Sequence, residues 1–298
     1  MKPLADCLLY AFVDAAYLDG RDPEVLCRQL CDGGADLVQL RAKDWPVDDI
    51  AHLAKRMAPI TADAGVRLVI NDHPDIAADV GAPTAHLGQE DFFDAGHRQV
   101  DEVKPSGSAL ELGLSTHSPE QAVRACDAGA DYVAIGPVFA TPTKPGRPPV
   151  TLDYVRWAAT NIDRPWFAIG GINLDNLADI LTAGARRVCV VSALLRTPDG
   201  AGACRQFKER ILSATHSRVV SPPNPFLKNE PACLRFHCIG LHRHTEKEEP
   251  TPAWRVRQSC GCCGQFFRRT EADRCGRHRF SSQIHFAART PQGEYQGA

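Results

Sequence analysis

The sequence predicts a closed parallel (β/α)8 barrel, the TIM-barrel form of the α/β class, followed by a Cys/His-rich extension. Three observations predict it. Eight short apolar runs alternate with longer amphipathic segments over the first 215 of 298 residues. Gly-Ala pairs recur just ahead of apolar runs, at Gly34-Ala35, Gly129-Ala130 and Gly184-Ala185, where a glycine can end a helix in the left-handed conformation. Polar residues cluster just after the apolar runs, at the strand ends where barrel enzymes build their sites. A doubly wound open sheet is the alternative on the pattern alone.

The expected strands are Leu8–Val13, Leu37–Leu40, Leu68–Ile70, Thr84–Leu87, Leu110–Leu114, Tyr132–Ile135, Trp166–Ile169 and Val188–Val191. Each is a short apolar run bounded by Asp, Asn, Gly or Pro. The expected helices are Asp22–Cys31, Val47–Ala64, Pro119–Ala128, Leu152–Thr160 and Asn176–Ala183, several behind a polar capping residue. After Ser213 the pattern fails. Val219–Pro225 (VVSPPNP) is a Pro-rich stop. The expected organisation is a barrel over 1–215, a flexible linker over 216–253 and a basic module over 254–298.

Composition supports this division. Apolar residues make up 44% and charged residues 23%, an ordinary globular balance. The net charge of −2 hides an asymmetry. Residues 1–215 hold 21 Lys and Arg against 29 Asp and Glu, whereas 216–298 hold 13 against 7. The tail also holds 6 of the 11 His and 6 of the 12 Cys. No apolar run approaches the ~18–20 residues of a membrane span. The apolar run Cys7–Val13 is bracketed by Asp6 and Asp14 and reads as a first strand, not a signal peptide. The expected location is cytoplasmic, with the Cys as thiols or metal ligands rather than disulfides.

Six constellations leave the expected strands. In Gln39-Leu40-Arg41-Ala42-Lys43, alternation puts Gln39, Arg41 and Lys43 on one face, which suits a polyanion; a surface ion pair is the plain alternative. Asn71-Asp72 places a carboxylate at the barrel mouth, unless it is simply a turn. His86-Leu87-Gly88-Gln89-Glu90-Asp91 adds carboxylates on the adjacent strand, and Asp72 and Asp91 could share one Mg²⁺. His86 itself reads first as a core histidine. Ser115-Thr116 offers hydroxyls to a phosphate, next to a helix start at Ser118-Pro119. The loop Gly136–Gly146 carries Thr141, Thr143 and Lys144 and could close over an anion. Gly170-Gly171 after strand 7 and Val191-Ser192 after strand 8 occupy the usual phosphate position of such barrels. Each motif alone has a plain structural reading. Together they argue for a Mg²⁺-dependent reaction between phosphorylated small molecules.

These residues resemble the thiamine phosphate synthase (thiamine-phosphate pyrophosphorylase) family. The matching pieces are VQLRAKD, INDHPDIA, HLGQED, LGLSTHS, GADYVAIGPVFATPTKPG, FAIGGIN and VVSALL, from Leu37 to Leu195. The tail is unmatched. The resemblance implies a barrel that joins hydroxymethylpyrimidine diphosphate to thiazole phosphate, giving thiamine phosphate and pyrophosphate. It implies that Gln39, Arg41, Lys43, Asn71 and Lys144 hold the pyrimidine diphosphate and that Asp72 and Asp91 are Mg²⁺ ligands. Ser115, Thr141, Thr143, Gly171, Val191 and Ser192 would surround the thiazole phosphate and the departing pyrophosphate. Charge stabilisation by Arg41, Lys43 and Lys144, with Ser115 donating to the leaving group, would carry the catalysis. Ala42, His73, Pro83-Thr84-Ala85, Val150-Thr151 and Arg186-Arg187 depart from the family pattern. The alternatives are a thiazole phosphate tautomerase of the same barrel family and a non-catalytic barrel that binds a partner through its tail.

In that tail, Cys260-x2-Cys263 and Cys275-x2-His278 have the spacing of a tetrahedral structural Zn²⁺ site. Seven Arg between 255 and 279 surround it. Nucleic-acid binding is the sharper reading of these charges, and a solvated basic surface is the favoured one. The sequence leaves a homo-oligomer open.

Overall fold

The computed structural model describes residues 1–141 and 148–220, with side chains through 215. Eight parallel strands close into a barrel in sequence order. They are β1 (Leu9–Asp14), β2 (Leu37–Arg41), β3 (Arg67–Asn71), β4 (Thr84–Leu87), β5 (Glu111–Thr116), β6 (Tyr132–Ile135), β7 (Trp166–Ile169) and β8 (Val188–Cys189). Closure of β8 on β1 pairs Leu9 with Val188 and Tyr10 with Cys189. The closed barrel, not the open sheet, is the architecture.

The helices are α1 (Pro23–Asp32), α2 (Val47–Asp63), α3 (Pro74–Asp79), α4 (Pro119–Asp127), α5 (Thr151–Asn161), α6 (Leu177–Thr182), α7 (Ser192–Leu195) and α8 (Gly200–Val220). The start of α1 is set locally. The Asp22 side chain accepts from the backbone N–H of Glu24 and Val25, and Pro23 opens the helix. Such a cap contributes about 1 kcal/mol. Ser118 caps α4 in the same way, accepting from Gln121 N–H. The three glycines ahead of apolar runs adopt positive φ, +88° at Gly34, +87° at Gly129 and +116° at Gly184.

Three differences from the sequence reading have physical causes. The short helices α3 and α7, and α8, were not among the expected ones, while between β4 and β5, where none was named, the chain makes only a π turn at Glu90–Asp94 and a 3₁₀ turn at Val100–Glu102. Gly88, Gly96, Pro105 and Gly107 interrupt that stretch. The last strand is two residues long instead of four, because the chain leaves it at Val190 and starts α7 at Ser192. Finally, α8 runs to Val220, beyond the expected domain end at 215. No Pro or Gly intervenes before Pro222, and Thr215 satisfies its hydroxyl by donating to the Ile211 and Leu212 carbonyls. The expected linker beyond 220 and the module at 254–298 lie outside the described residues.

The barrel lumen is filled from below by aromatic rings. Tyr10, Tyr132 and Phe167 form a buried triangle with centroids 5.4–6.1 Å apart and tilted or edge-on planes. Tyr132 crosses the strand beside it at Gly113, where any Cβ would collide with its ring. At the opposite end from the site, Asp36 ties the barrel floor together. Its carboxylate accepts from Leu8 N–H (2.8 Å) and Leu9 N–H (3.0 Å) and is paired with Lys2 and Lys208.

Candidate active site

Alternation along each strand decides what faces the lumen. Phe12 and Asp14 of β1, Gln39 and Arg41 of β2, Asn71 of β3, His86 of β4, Ser115 of β5, Ala134 of β6 and Ile169 of β7 all line one cavity at the carboxyl ends of the strands. Lys43, Asp72, Thr141, Gly171, Val191 and Ser192 complete its rim. Ala42, just past the end of β2, is buried and does not line the cavity. Ten of the expected site residues therefore share one cavity, and Asp91 joins them through Lys43. Thr143 and Lys144, with Cys260, Cys263, Cys275 and His278, lie outside the described residues.

Both cations are ion-paired, the plain alternative the sequence offered for Arg41 and Lys43, but with carboxylates on the cavity rim. Asp14 and Arg41 are register partners on β1 and β2, and Arg41 Nη1 donates to Asp14 Oδ2 at 2.9 Å. Lys43 Nζ lies 3.1 Å from Asp72 Oδ2 and 3.5 Å from Asp91 Oδ2. Burial works against the Lys43 ammonium, but Asp72 and then Asp91 outweigh it and hold its pKa above the ordinary lysine value. Burial raises the Asp72 carboxyl pKa above its usual range; Lys43 opposes that and the nearby Asp91 adds to it. Asp72 also takes a left-handed φ of +64°, which Asp tolerates better than most residues, and its N–H donates to the His86 carbonyl.

This arrangement fits a hard divalent cation. Two carboxylates converge on one point at the mouth, with a displaceable ammonium between them, and the remaining ligands would be water and substrate oxygens. Among the described residues no group of three or more His, Cys, Asp or Glu is placed to hold a metal. The described rim also carries enough acid (Asp14, Asp72, Glu90) to disfavour a polyphosphate unless positive charge is added.

The glycines at 170 and 171 have a packing role. Both have positive φ, +104° and +64°. A Cβ on Gly170 would strike Pro137, and one on Gly171 would strike Phe139 and the Ala140 carbonyl. Close approach of the loops after β6 and β7 thus requires them, beside any use of their backbone toward a phosphate.

Ser115 is held from two sides. Its Oγ is 2.9 Å from His86 Nε2, and its carbonyl accepts from Gln89 Nε2. Arg124 in turn donates to Gln89 Oε1 at 2.7 Å. Thr116, by contrast, is fully buried, and its hydroxyl engages the Ala134 carbonyl and the Tyr154 hydroxyl, so it offers nothing to a ligand. Sequence reasoning missed Asp14, Tyr10 and Tyr132. Asp14 carried the same signal as Asp72, an apolar strand ending on a carboxylate. The tyrosines carried none, since a Tyr inside an apolar run reads as core.

Comparison with known proteins agrees with this geometry. The family model described as thiamine monophosphate synthase matches residues 9–194. A thiamine-phosphate synthase of Thermus thermophilus is 49% identical over 180 residues, covering 60% of this chain and 84% of the relative. That of Acidothermus cellulolyticus is 44% identical over 213 residues, covering 71% of this chain and 98% of the relative. Among solved structures, a thiamine phosphate pyrophosphorylase from Pyrococcus furiosus superposes with a TM-score of 0.62 at 26% identity, covering 71% of this chain and 98% of that one. With its barrel, its strand-end residues and its matched sequence in register, the chain belongs to the thiamine monophosphate synthase family.

Proposed function

We propose that this chain condenses hydroxymethylpyrimidine diphosphate with thiazole phosphate, releasing thiamine phosphate and pyrophosphate. The observation that carries the reading is Lys43 held between Asp72 and Asp91 on the rim of a cavity that also includes Ser115, Gly171 and Ser192. Asp72 and Asp91 would hold Mg²⁺, which would supply positive charge to neutralise a diphosphate.

The chain's own residues do the rest. Lys43, which lies between these two carboxylates, would present its ammonium to the leaving pyrophosphate. Arg41, fixed by Asp14, presents a second cation, and Lys144 of the loop after β6 adds a third. The bond from the pyrimidine methylene to the diphosphate oxygen breaks first, leaving a cation stabilised by the pyrimidine ring. The thiazole nitrogen then attacks that carbon. Ser115 donates a hydrogen bond to the departing pyrophosphate. No protein nucleophile is needed, so the remaining task is alignment of the two substrates, for which Gln39, Asn71, Thr141, Thr143, Gly171, Val191 and Ser192 would surround the reacting groups.

Incubation of the purified chain with both substrates and Mg²⁺, following thiamine phosphate and pyrophosphate, tests the reading. Stoichiometric formation of both supports it. Binding of substrates without product would favour the thiazole phosphate tautomerase or the non-catalytic barrel. For the tail, the spacing of Cys260, Cys263, Cys275 and His278 supports one structural Zn²⁺. Metal analysis of the full chain under reducing conditions should find one zinc per chain, lost in Cys260→Ser with Cys263→Ser.

A further inference from the structure

Inside the barrel, beneath the cavity, five polar side chains form one continuous row. Gln39 Nε2 donates to the Tyr10 hydroxyl at 2.5 Å. The Tyr10 and Tyr132 hydroxyls are 3.1 Å apart. The Tyr132 hydroxyl is 3.0 Å from His86 Nδ1, and His86 Nε2 is 2.9 Å from Ser115 Oγ. The row crosses the lumen from β2 to β5. Gln39, His86 and Ser115 line the cavity; Tyr10 and Tyr132 do not.

The row has a direction. An amide nitrogen can only donate, so the Tyr10 oxygen accepts from Gln39. The Tyr10 proton is then available to the Tyr132 oxygen and the Tyr132 proton to His86 Nδ1, the order in which each phenol both accepts and donates within the row. That leaves the His86 proton on Nε2, donated to Ser115 Oγ. Ser115 has spent an acceptor site on His86, so its own proton is the one left to point into the cavity. Burial pushes both phenols above the ordinary tyrosine range, so each keeps its proton and can pass the direction along. Gly113 is part of the device, because a side chain there would displace the Tyr132 ring.

We propose that Tyr132 is a positioning residue for the reaction. Through His86 it fixes Ser115 as a hydrogen-bond donor to the leaving pyrophosphate, although it touches no substrate. The catalytic half of this proposal rests on the condensation reading above. The structural half does not.

Two measurements test it. First, nitrogen-15 NMR of the full-length chain labelled at histidine, with His86 assigned through His86→Gln, reads the tautomer directly. The proposal expects the proton on Nε2. A proton on Nδ1 would mean that the row runs the other way, with Ser115 donating to His86, and would overturn it. This result stands whether or not the chain makes thiamine phosphate. Second, Tyr132→Phe removes one oxygen and keeps the ring. Turnover should fall about tenfold, with KM for both substrates within about twofold. In a Ser115→Ala background the same change should have no further effect on turnover, because there is no hydroxyl left to aim. Equal losses in both backgrounds, or an unchanged kcat in the single variant, would overturn the proposal. Tyr10→Phe, one step further back, should lower turnover in the same sense but less, and serves if Tyr132→Phe folds poorly. An inactive wild-type chain would refute the condensation reading, leaving the tautomer to decide the row.

Discussion

Lys43 Nζ lies 3.1 Å from Asp72 Oδ2, an ammonium parked on a carboxylate that is costly to keep ionised where it sits. In the ligand-free chain the pair is a closed circuit. A divalent cation held by Asp72 would leave Lys43 available to an anionic substrate. Asp72→Ala and Lys43→Ala should therefore each lower kcat/KM by about 10²-fold or more, the scale for losing one charged stabiliser of a leaving group. The fold should survive, because both residues stand on the barrel rim. Steady-state kinetics with circular dichroism checks both points. Wild-type rates in either purified variant would remove the site assignment.

Asp14 has a separate task. It accepts from Arg41 and, through Oδ1, from Ala16 N–H at 3.0 Å. Asp14→Asn keeps the shape and the backbone acceptor but takes away the charge that fixes Arg41. KM for the diphosphate substrate should rise about tenfold with a smaller change in kcat, since Arg41 remains present but is no longer held in line. Stability should drop by about 1–3 kcal/mol, the usual effect of weakening a charged hydrogen bond. A KM unchanged within error would show that Arg41 needs no support.

Most of the strand ends were legible in the sequence because each is an apolar run that stops on a polar residue. Thr84–Leu87, Tyr132–Ile135 and Trp166–Ile169 match their strands to the residue. The ordering of Gln39, Arg41 and Lys43 on one face followed from strand alternation, and they line the cavity together. What was not legible is pairing across strands. Nothing within β2 indicates that Arg41 faces Asp14, because that depends on the register of β1 against β2. The row through Tyr10 and Tyr132 was hidden for the same reason. Each tyrosine satisfies the hydrophobic pattern, and only the closed barrel brings their hydroxyls together. The helix α8 was not expected at any point of its length, because its sequence has weak apolar periodicity.

Gly113→Ala isolates the packing part of that row. A methyl group at 113 meets the Tyr132 ring, which is fully buried and cannot swing into solvent. The barrel should lose about 1–3 kcal/mol, the range for overpacking a filled core. Turnover should fall as well, because a displaced Tyr132 no longer reaches His86. Urea denaturation and kinetics on the same preparation check the two effects. A variant of native stability would mean that the lumen yields easily at this point.

The far end of the barrel offers a test that does not involve the reaction. Burial works to raise the Asp36 carboxyl pKa, but Lys2, Lys208 and the N–H groups of Leu8 and Leu9 outweigh it, and the net shift is downward. A carboxyl whose folded pKa lies below its unfolded value of about 3.9 contributes stability that is present above that value. The contribution is lost as pH falls through the folded pKa, because the unfolded chain binds the proton more readily. Asp36→Asn should therefore cost about 3 kcal/mol at pH 7, the lower end for removing one partner of a buried charge cluster. Lys208, mostly buried in the pair, is left without its counter-charge. Toward pH 3 the gap between wild type and variant should shrink, since the wild-type carboxylate is itself being protonated. Urea melts of both proteins at pH 7 and pH 3 measure the gap directly. An equal gap at both values would mean that shape, not charge, is what Asp36 contributes to the barrel floor.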